Sequence, residues 1–499
     1  VQNMAALSPM MQQYFDIKKQ HPDKILFFRL GDFYEMFYDD AILASKELEL
    51  TLTGRDCGQE ERAPMCGVPY HSCEGYIARL IKKGYKVAIC EQVEDPKQAK
   101  GLVKREVTRI VTPGTNLDTY ALDETKNNYI MCIVYVDNKY GVSVADVTTG
   151  AYFVTELDSE RKLLDEISKY MPSEIISNEA FFMSGIDLAD LRHRLGITIY
   201  SLESWYFGDD LAATTLKEHF HVASLDGLGL GDYNCGVIAA GSLLKYLYET
   251  QKTTLDHMTT IEPYSTGKFM VLDSSTRRNL ELVETMREKQ KRGSLLWVLD
   301  KTKTAMGART LRSYVEQPLI DAEEIEKRLG ALEELNAKPM DRDEIREYLN
   351  PIYDLERLMT RVIYQKATPR DLKSLSMTAQ QLPELKAQLR QLAGDSRLLA
   401  TLEQQISPLE RVCTLVENAI VDDPPITLKD GGVIRDGFHE ELDRQRHIMN
   451  GGTQIIDEIL QREKERTGIK GLKIGYNRVF GYYLEVTRSY YDLIPSDYI

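Results

Sequence analysis

The residue pair with the most pointed chemistry is Phe33 and Glu35, in the segment GDFYEMFYDDA from Gly31 to Ala41. Gly31-Asp32 marks a turn directly after the apolar run KILFFRL (24–30). A spacing of two then places Phe33 and Glu35 on one side of an extended backbone. An aromatic ring beside a carboxylate is an odd face to offer a polyanion, unless the protein must pry bases apart. An apolar side chain inserted at a base step from the minor groove kinks the duplex and offsets the unstacking with new contacts. Unstacking costs least where pairing is already broken, so such a wedge selects mispairs by deformability. A glutamate there accepts only from a base edge able to donate, or is itself protonated, and it disfavours intact duplex. The same residues also fit a plainer arrangement, with Phe33 in a core and Glu35 a solvated acid opening a helix. Spacing alone leaves both open.

Other residues invite chemistry with less force. Cys57, Cys66, Cys73 and Cys90, with His71, crowd the first hundred residues, but separations of nine, seven and seventeen match no common zinc pattern. The seven cysteines contain no CxxC pair, which reads as reduced thiols in a cytoplasm. Asp146 in the strand-like VADVTTG is the kind of carboxylate a metal-dependent nuclease employs, yet no second and third carboxylate stand at convincing positions. A phosphate-cradling GxxxxGK[ST] loop is missing. The only Gly-Lys pair, Gly267-Lys268, is followed by Phe269 and has Glu262 where the first glycine should be.

The elements that must position these residues change character along the chain. To about residue 115 the pattern is mixed α/β. Ser8-Pro9 opens a helix, KILFFRL is a strand, Met36 to Leu48 has helical spacing, and SCEGYIARLIKKG (72–84) is a helix stopped at Gly84. YKVAICEQV and EVTRIVTPGT follow as strands. From about 125 to 255, NNYIMCIVYV, YGVSVADVTTG and AYFVTEL are three successive strands, followed by helices at 159–170 and 233–250. Beyond 260 the segments ARTLRSYVEQPL, AEEIEKRLGALEELN and LPELKAQLRQLAGD are charged amphipathic helices. DDPPITLKDGG (422–432) is a break. Phe438 to Arg466 is strongly helical apart from Gly451-Gly452, long enough for a lever or arm, and LKIGYNRVFGYYLEV (472–486) is a hairpin turning near Asn477. The fold class expected is therefore multidomain, α/β followed by α.

A net charge of −15 argues against a protein that coats nucleic acid indiscriminately. One basic stretch runs from Arg79 to Arg109 and includes Lys82, Lys83, Lys86, Lys97, Lys100, Lys104 and Arg105, against Glu91, Glu94, Asp95 and Glu106. On charge alone it is a solvated surface. The N-terminal VQNMAALSPMMQQY lacks a basic region leading into an apolar one, and no apolar run reaches membrane-spanning length, so neither a signal peptide nor a membrane is expected.

GDFYEMFYDDA resembles the Phe-x-Glu motif of the MutS family of DNA mismatch-repair proteins. The similarity continues through SPMMQQY (8–14), APMCGVPYHS (63–72), VAICEQVEDP (87–96), RIVTPGT (109–115), DSSTRRNLEL (273–282), TAMGARTLRSYVEQPL (304–319), ATPRDL (367–372), PPITLKDGGVI (424–434) and EKERTGIKGLKIGYNRVFGYYLEVT (463–487). It thus covers essentially the whole chain. The resemblance implies that Phe33 stacks on a mispaired base and Glu35 hydrogen-bonds to it, with Arg55, Met65 and Arg109 close to DNA. It implies four regions: a mixed α/β mismatch-recognition domain (1–115), a ribonuclease-H-like connector (125–255), a helical core with levers (260–423), and a clamp of long helices and a small β-hairpin (424–484), the chain then starting back towards the core (485–499). At the hairpin tip, Lys473, Asn477 and Arg478 would donate to phosphates. Arg277, Arg278 and Arg309 are expected to be ion-paired to acidic helices. The partners implied are double-stranded DNA with mismatches or small loops, a MutL-type repair protein and a second copy, in a bacterial cytoplasm at the nucleoid. ATP and magnesium would belong to a region past residue 499, so no cofactor is expected here, and isolated binding should be weak without a dimer. Paralogues acting on branched DNA often lack the first domain or its Phe-x-Glu, and both are present.

Overall fold

The computed structural model describes residues 7–58, 61–94, 101–117, 122–426, 428–479 and 481–498. The first region is a six-stranded sheet with helices on both faces. Its elements are α1 (Pro9–Gln20), β1 (Ile25–Leu30), β2 (Phe33–Phe37), α2 (Tyr38–Leu48), β3 (Thr53–Arg55), β4 (Ala63–Pro69), α3 (Cys73–Lys82), β5 (Val87–Gln92) and β6 (Arg105–Val111). The strand order is β3-β4-β2-β1-β5-β6. β1 turns through Gly31 (φ +60°) into antiparallel β2 and pairs in parallel with β5 on its other side. Alternation along β1 divides the core: Ile25 and Phe27 pack with α2 and α3 residues such as Ala44 and Ile77, whereas Leu26 and Phe28 pack with Met11 and Tyr14 of α1. Helix α1 starts at Pro9 as read from the sequence, although the Ser8 hydroxyl makes no capping bond. α2 begins two residues later than its helical spacing indicates. Met36 and Phe37 stay in β2, paired with Cys66 and Met65 of β4 and fully buried, and Tyr38 (φ +52°) makes the break. Tertiary pairing overrides the local periodicity there.

The second region holds β7 (Ile130–Val136), β8 (Lys139–Asp146), β9 (Ala151–Leu157), α4 (Glu160–Tyr170), β10 (Glu174–Ser177), α5 (Glu179–Phe182), α6 (Leu188–Arg194), β11 (Thr198–Ser201), α7 (Asp209–Phe220), α8 (Cys235–Gln251) and β12 (Glu262–Pro263). β7, β8 and β9 form an antiparallel meander; β10 runs parallel to β7, β11 to β10, and β12 to β9. Asp137 and Asn138, both with positive φ (49° and 60°), make the two-residue turn whose twist suits a hairpin. α8 covers one face through Ile238, Leu243 and Leu247, and α4 the other through Leu163 and Ile167. Gly141 in β8 permits that packing, because a Cβ there would lie 1.9 Å from the Cys235 carbonyl oxygen.

Helices follow: α9 (Ser274–Asn279), α10 (Leu295–Leu299), α11 (Ala305–Glu316), α12 (Ala322–Ala337), α13 (Pro339–Leu349), α14 (Leu355–Ile363), α15 (Pro369–Leu392), α16 (Arg397–Gln405) and α17 (Glu410–Ala419). α18 (Glu440–Thr467) runs unbroken through Gly451-Gly452, and its 28 residues span about 42 Å at ~1.5 Å per residue. It ends at Gly468 (φ +70°), and β13 (Lys473–Asn477) pairs antiparallel with β14 (Gly481–Glu485). The chain therefore combines mixed α/β regions with helical ones. It divides into two compact units, residues 1–367 with 374–410, and residues 368–373 with 411–499. The second has its own small core of Leu372, Val416, Ala419, Ile420, Val433 and Ile434.

Candidate nucleic-acid interface

Phe33 opens β2 immediately after the Gly31-Asp32 turn, paired with Leu30 and Pro69. It is 47 % exposed, on a strand whose other aromatic residues, Tyr34 and Phe37, are buried. The core placement that spacing left open is thereby excluded. The helix-opening placement of Glu35 fails too, because Glu35 lies mid-strand opposite Phe28 and Gly67. Both point to one side of the sheet, as residues two apart in a strand must.

The turn bearing Phe33 is held from behind. The Arg29 guanidinium lies 3.6 Å from the centre of the Tyr70 ring, its Nε donates to the Gly31 carbonyl at 2.5 Å, and the Tyr70 amide donates to the Asp32 carbonyl at 3.0 Å. The Tyr34 hydroxyl donates to Glu91, and burial with that neighbouring charge pushes its pKa above the ordinary phenol value. The exposed ring thus stands on a turn fixed by charge, stacking and backbone bonds.

Glu35 has a partner that its position in the sequence does not disclose. Arg55, on edge strand β3, donates Nη1 to Glu35 Oε2 in a close ion pair across β4. Gly67 is the β4 partner of Glu35, and a Cβ there would come within 3.4 Å of Glu35 Cγ and 3.3 Å of the Tyr34 carbonyl oxygen. The glycine leaves room for the Glu35 side chain. Met65, opposite Phe37, lies on the same side of the sheet and is half-buried against the Phe28–Phe37 cluster. Arg55 and Met65 are therefore neighbours of the wedge strand.

Arg109 is not. It sits on β6, at the far side of the sheet from β3 and β4, buried and donating Nη2 to the Thr115 carbonyl at 3.3 Å. That burial does not favour a place near DNA for it. The basic stretch around it does not assemble either. Arg105 is buried, giving Nε to the Arg29 carbonyl (2.7 Å) and Nη1 to Gln13 (2.9 Å). Lys83 pairs with Glu47 (2.6 Å) and Lys104 with Glu106 (2.5 Å). Lys86 turns inward over the Tyr200 ring at 3.7 Å, and burial depresses its pKa. Asp95, Lys97 and Lys100 lie outside the described residues.

In the second unit, the β13–β14 hairpin places Asn477 opposite Gly481 at its tip, but Lys473, expected at the tip, stands opposite Glu485 at the open end. Asn477 Oδ1 accepts from the Val479 amide at 2.8 Å, and Arg478 is exposed in the turn between them. Two residues that the sequence reading passed over join them: Tyr476 and Tyr482, cross-strand partners, are both 64 % exposed with ring centres 5.0 Å apart. The signal that could have found them is the presence of three tyrosines, Tyr476, Tyr482 and Tyr483, within one short hairpin.

Asp146 and the clustered cysteines, the other groups that could carry chemistry, are engaged or buried. Asp146 is fully buried; Oδ1 accepts from the Thr148 amide (2.8 Å) and hydroxyl (2.7 Å), and Oδ2 from Asn127 Nδ2 (2.7 Å) and the Asn128 amide (3.1 Å). Its lone pairs hold loops together. Among the described residues no group of three or more His, Cys, Asp or Glu could hold a metal ion. Burial pushes the Cys66 thiol up to about 11 and those of Cys73 and Cys90 to about 12, which keeps them protonated. Arg309 is ion-paired as expected, to Asp354 (2.6 Å) and Glu356 (2.6 Å). Arg277 and Arg278 are not: neither makes an ion pair among the described residues, and Arg277 donates Nε only to the Leu272 carbonyl at 2.9 Å. Among the described residues no helix is long and apolar enough to cross a membrane.

Comparison with known proteins identifies the family. Family models described as MutS domain I, MutS domain II and MutS domain III match residues 8–120, 128–259 and 275–472. The DNA mismatch repair protein MutS of Lachnoclostridium phytofermentans is 59% identical over 496 residues, covering 99% of this chain and 53% of that protein. Its counterpart in Acetivibrio thermocellus is 51% identical over 499 residues, covering 99% of this chain and 57% of that protein. The chain spans about half the length of the curated relatives it matches. With three consecutive domain models and relatives matched from end to end of its sequence, the chain belongs to the MutS family.

Proposed function

We propose that this chain recognises mispaired or unpaired bases in duplex DNA, with Phe33 as the wedge that stacks at the mispair and Glu35 as the acceptor that tests the displaced base. The single observation that supports it most is Phe33 itself, a large aromatic left 47 % exposed on a turn braced from behind. Exposed aromatics stack on bases irrespective of sequence, while a duplex opens for them only where it is weak. Arg55 and Met65 flank the wedge. Arg109 has a structural role inside the domain. In the second unit, Lys473, Asn477 and Arg478 contact phosphates, with the rings of Tyr476 and Tyr482 beside them. The strand order β9-β8-β7-β10-β11, an antiparallel meander extended by two parallel strands, supports a ribonuclease-H-like connector.

On this reading residues 1–115 are the mismatch-recognition domain, 125–255 the connector, 260–423 the core and levers, 424–484 the clamp, and 485–499 the start of the return. The whole protein would act as an ATP- and magnesium-dependent homodimeric clamp that engages a MutL-type partner in a bacterial cytoplasm. The engaged Asp146 disfavours a nuclease, and the Phe33–Glu35 pair disfavours a paralogue directed at branched DNA. The test is a fluorescence-anisotropy titration of two otherwise identical duplexes, one with a single mispair. Preference for the mispaired duplex is expected, and equal affinity for both overturns the reading.

A further inference from the structure

A cavity of about 440 Å³ lies within the first unit, between the end of α4, the start of β7, helix α9 and helix α11. Its wall carries eight lysine and arginine residues against two glutamates, Glu284 and Glu316. That is a local inversion on a chain of net charge −15. The acids that neutralise Arg309, Arg194 and Lys169 (Asp354 with Glu356, Asp190, and Glu166) do not line it. Arg277 and Arg278, adjacent on α9, both line it; neither makes an ion pair among the described residues, although Glu316, Glu166 and Asp165 lie close enough to act on Arg277. Arg312, facing them from α11, spends one nitrogen on Glu316 (3.1 Å) and leaves its Nε buried without an acceptor. The buried Arg312 Nε without an acceptor and a wall with six more cations than acids favour an anion there.

The shape narrows the anion. Guanidinium forks match phosphate oxygens two at a time, and neighbouring arginines suit a chain of phosphates better than one carboxylate. The volume falls in the range of small-molecule and cofactor sites, roughly 300–1,000 Å³. Tyr129 and Tyr170, packed edge to face with ring centres 5.1 Å apart, supply an aromatic wall at the α4 end. We propose that this cavity is a binding site for a free nucleotide-sized polyphosphate, its phosphates held by Arg277, Arg278 and Arg312. The site is separate from the wedge strand, so it stands or falls independently of mismatch recognition.

The probes are inorganic pyrophosphate and adenosine triphosphate, titrated without DNA or magnesium into this 499-residue chain by isothermal calorimetry. The chain contains no GxxxxGK[ST] loop, so saturable binding is not attributable to one. Both probes should saturate a single site. Arg277→Gln with Arg278→Gln should weaken both about tenfold or more, since each arginine contributes charge-assisted bonds. Arg462→Gln, an exposed change on α18, should bind like the parent and controls for net charge. If the double variant melts early, Arg278→Gln alone, at an exposed position, still has to show the loss. Four outcomes overturn the proposal: no saturation through millimolar concentrations, equal affinity in the folded arginine variants, an equal loss in Arg462→Gln, or binding of the triphosphate without pyrophosphate, which would place recognition on the base.

Discussion

Replacing Phe33 with alanine separates binding from stability more cleanly than any other change in this chain. Phe33 is 47 % exposed, and its cross-strand neighbours are Leu30 and Pro69 at the hairpin tip. Losing those contacts should cost folding only about 0.2–1 kcal/mol, the usual worth of a cross-strand pair. The lost base stacking is larger, about 1–3 kcal/mol. At about 1.4 kcal/mol per tenfold, affinity for a mispaired duplex should fall roughly 5- to 150-fold. Matched duplex, into which the ring does not insert, should be bound nearly as before, so the affinity ratio collapses toward one. Fluorescence anisotropy at low salt, beside a thermal melt, measures both quantities. Phe37→Ala is the contrast: that ring is fully buried against Tyr14 and should cost about 3–5 kcal/mol and unfold the domain. If Phe33→Ala retained the parental ratio while remaining folded, the wedge argument would be wrong, however well the domain resembled its relatives.

Other expectations follow from the same geometry. Arg55→Ala and Glu35→Ala, with the double variant, should give a coupling energy of about 0.5–1 kcal/mol in stability, as expected for a partly exposed ion pair, and strict additivity would deny the pair. Glu35→Ala should also raise affinity for matched duplex; an unchanged value would remove its discriminating role. Asp146→Ala removes the acceptor of four donors, three of them buried, and should destabilise by about 3–5 kcal/mol in denaturant titration; a near-neutral result would mean the carboxylate is not holding the loops. Acid should weaken the fold through its histidines. His21 is depressed to about 4 by burial and then by Lys24 and Lys252, and burial also lowers His219 and His257. Each binds its proton more readily when unfolded, so stability present above pH ~6.5 is lost as pH falls toward ~4. The melting temperature should drop across that window, less so in His21→Gln, and a flat profile would contradict the assignment.

The sequence by itself determined the succession of elements, the turn at Gly31-Asp32 and the alternation placing Phe33 and Glu35 on one side of a strand. These are local matters: a glycine that tolerates φ +60°, a period of two, and serine, proline and glycine at helix ends. Motif order along the whole chain did the same for the family. Local spacing misjudged Met36 and Phe37, because pairing with β4 outweighs helical periodicity once both residues are buried. It could not show that Arg55 meets Glu35, since twenty residues and an intervening strand separate them and only the β3-β4-β2 order brings them together. Nor could it show that Arg105 and Arg109 face inward while Arg277 and Arg278 make no ion pair among the described residues. Charge is counted along a sequence, but whether a charge meets solvent, an acid or a cavity depends on three-dimensional packing. The wedge was legible because it rests on one strand; the partners of the charges were not, because they come from elements distant in the chain.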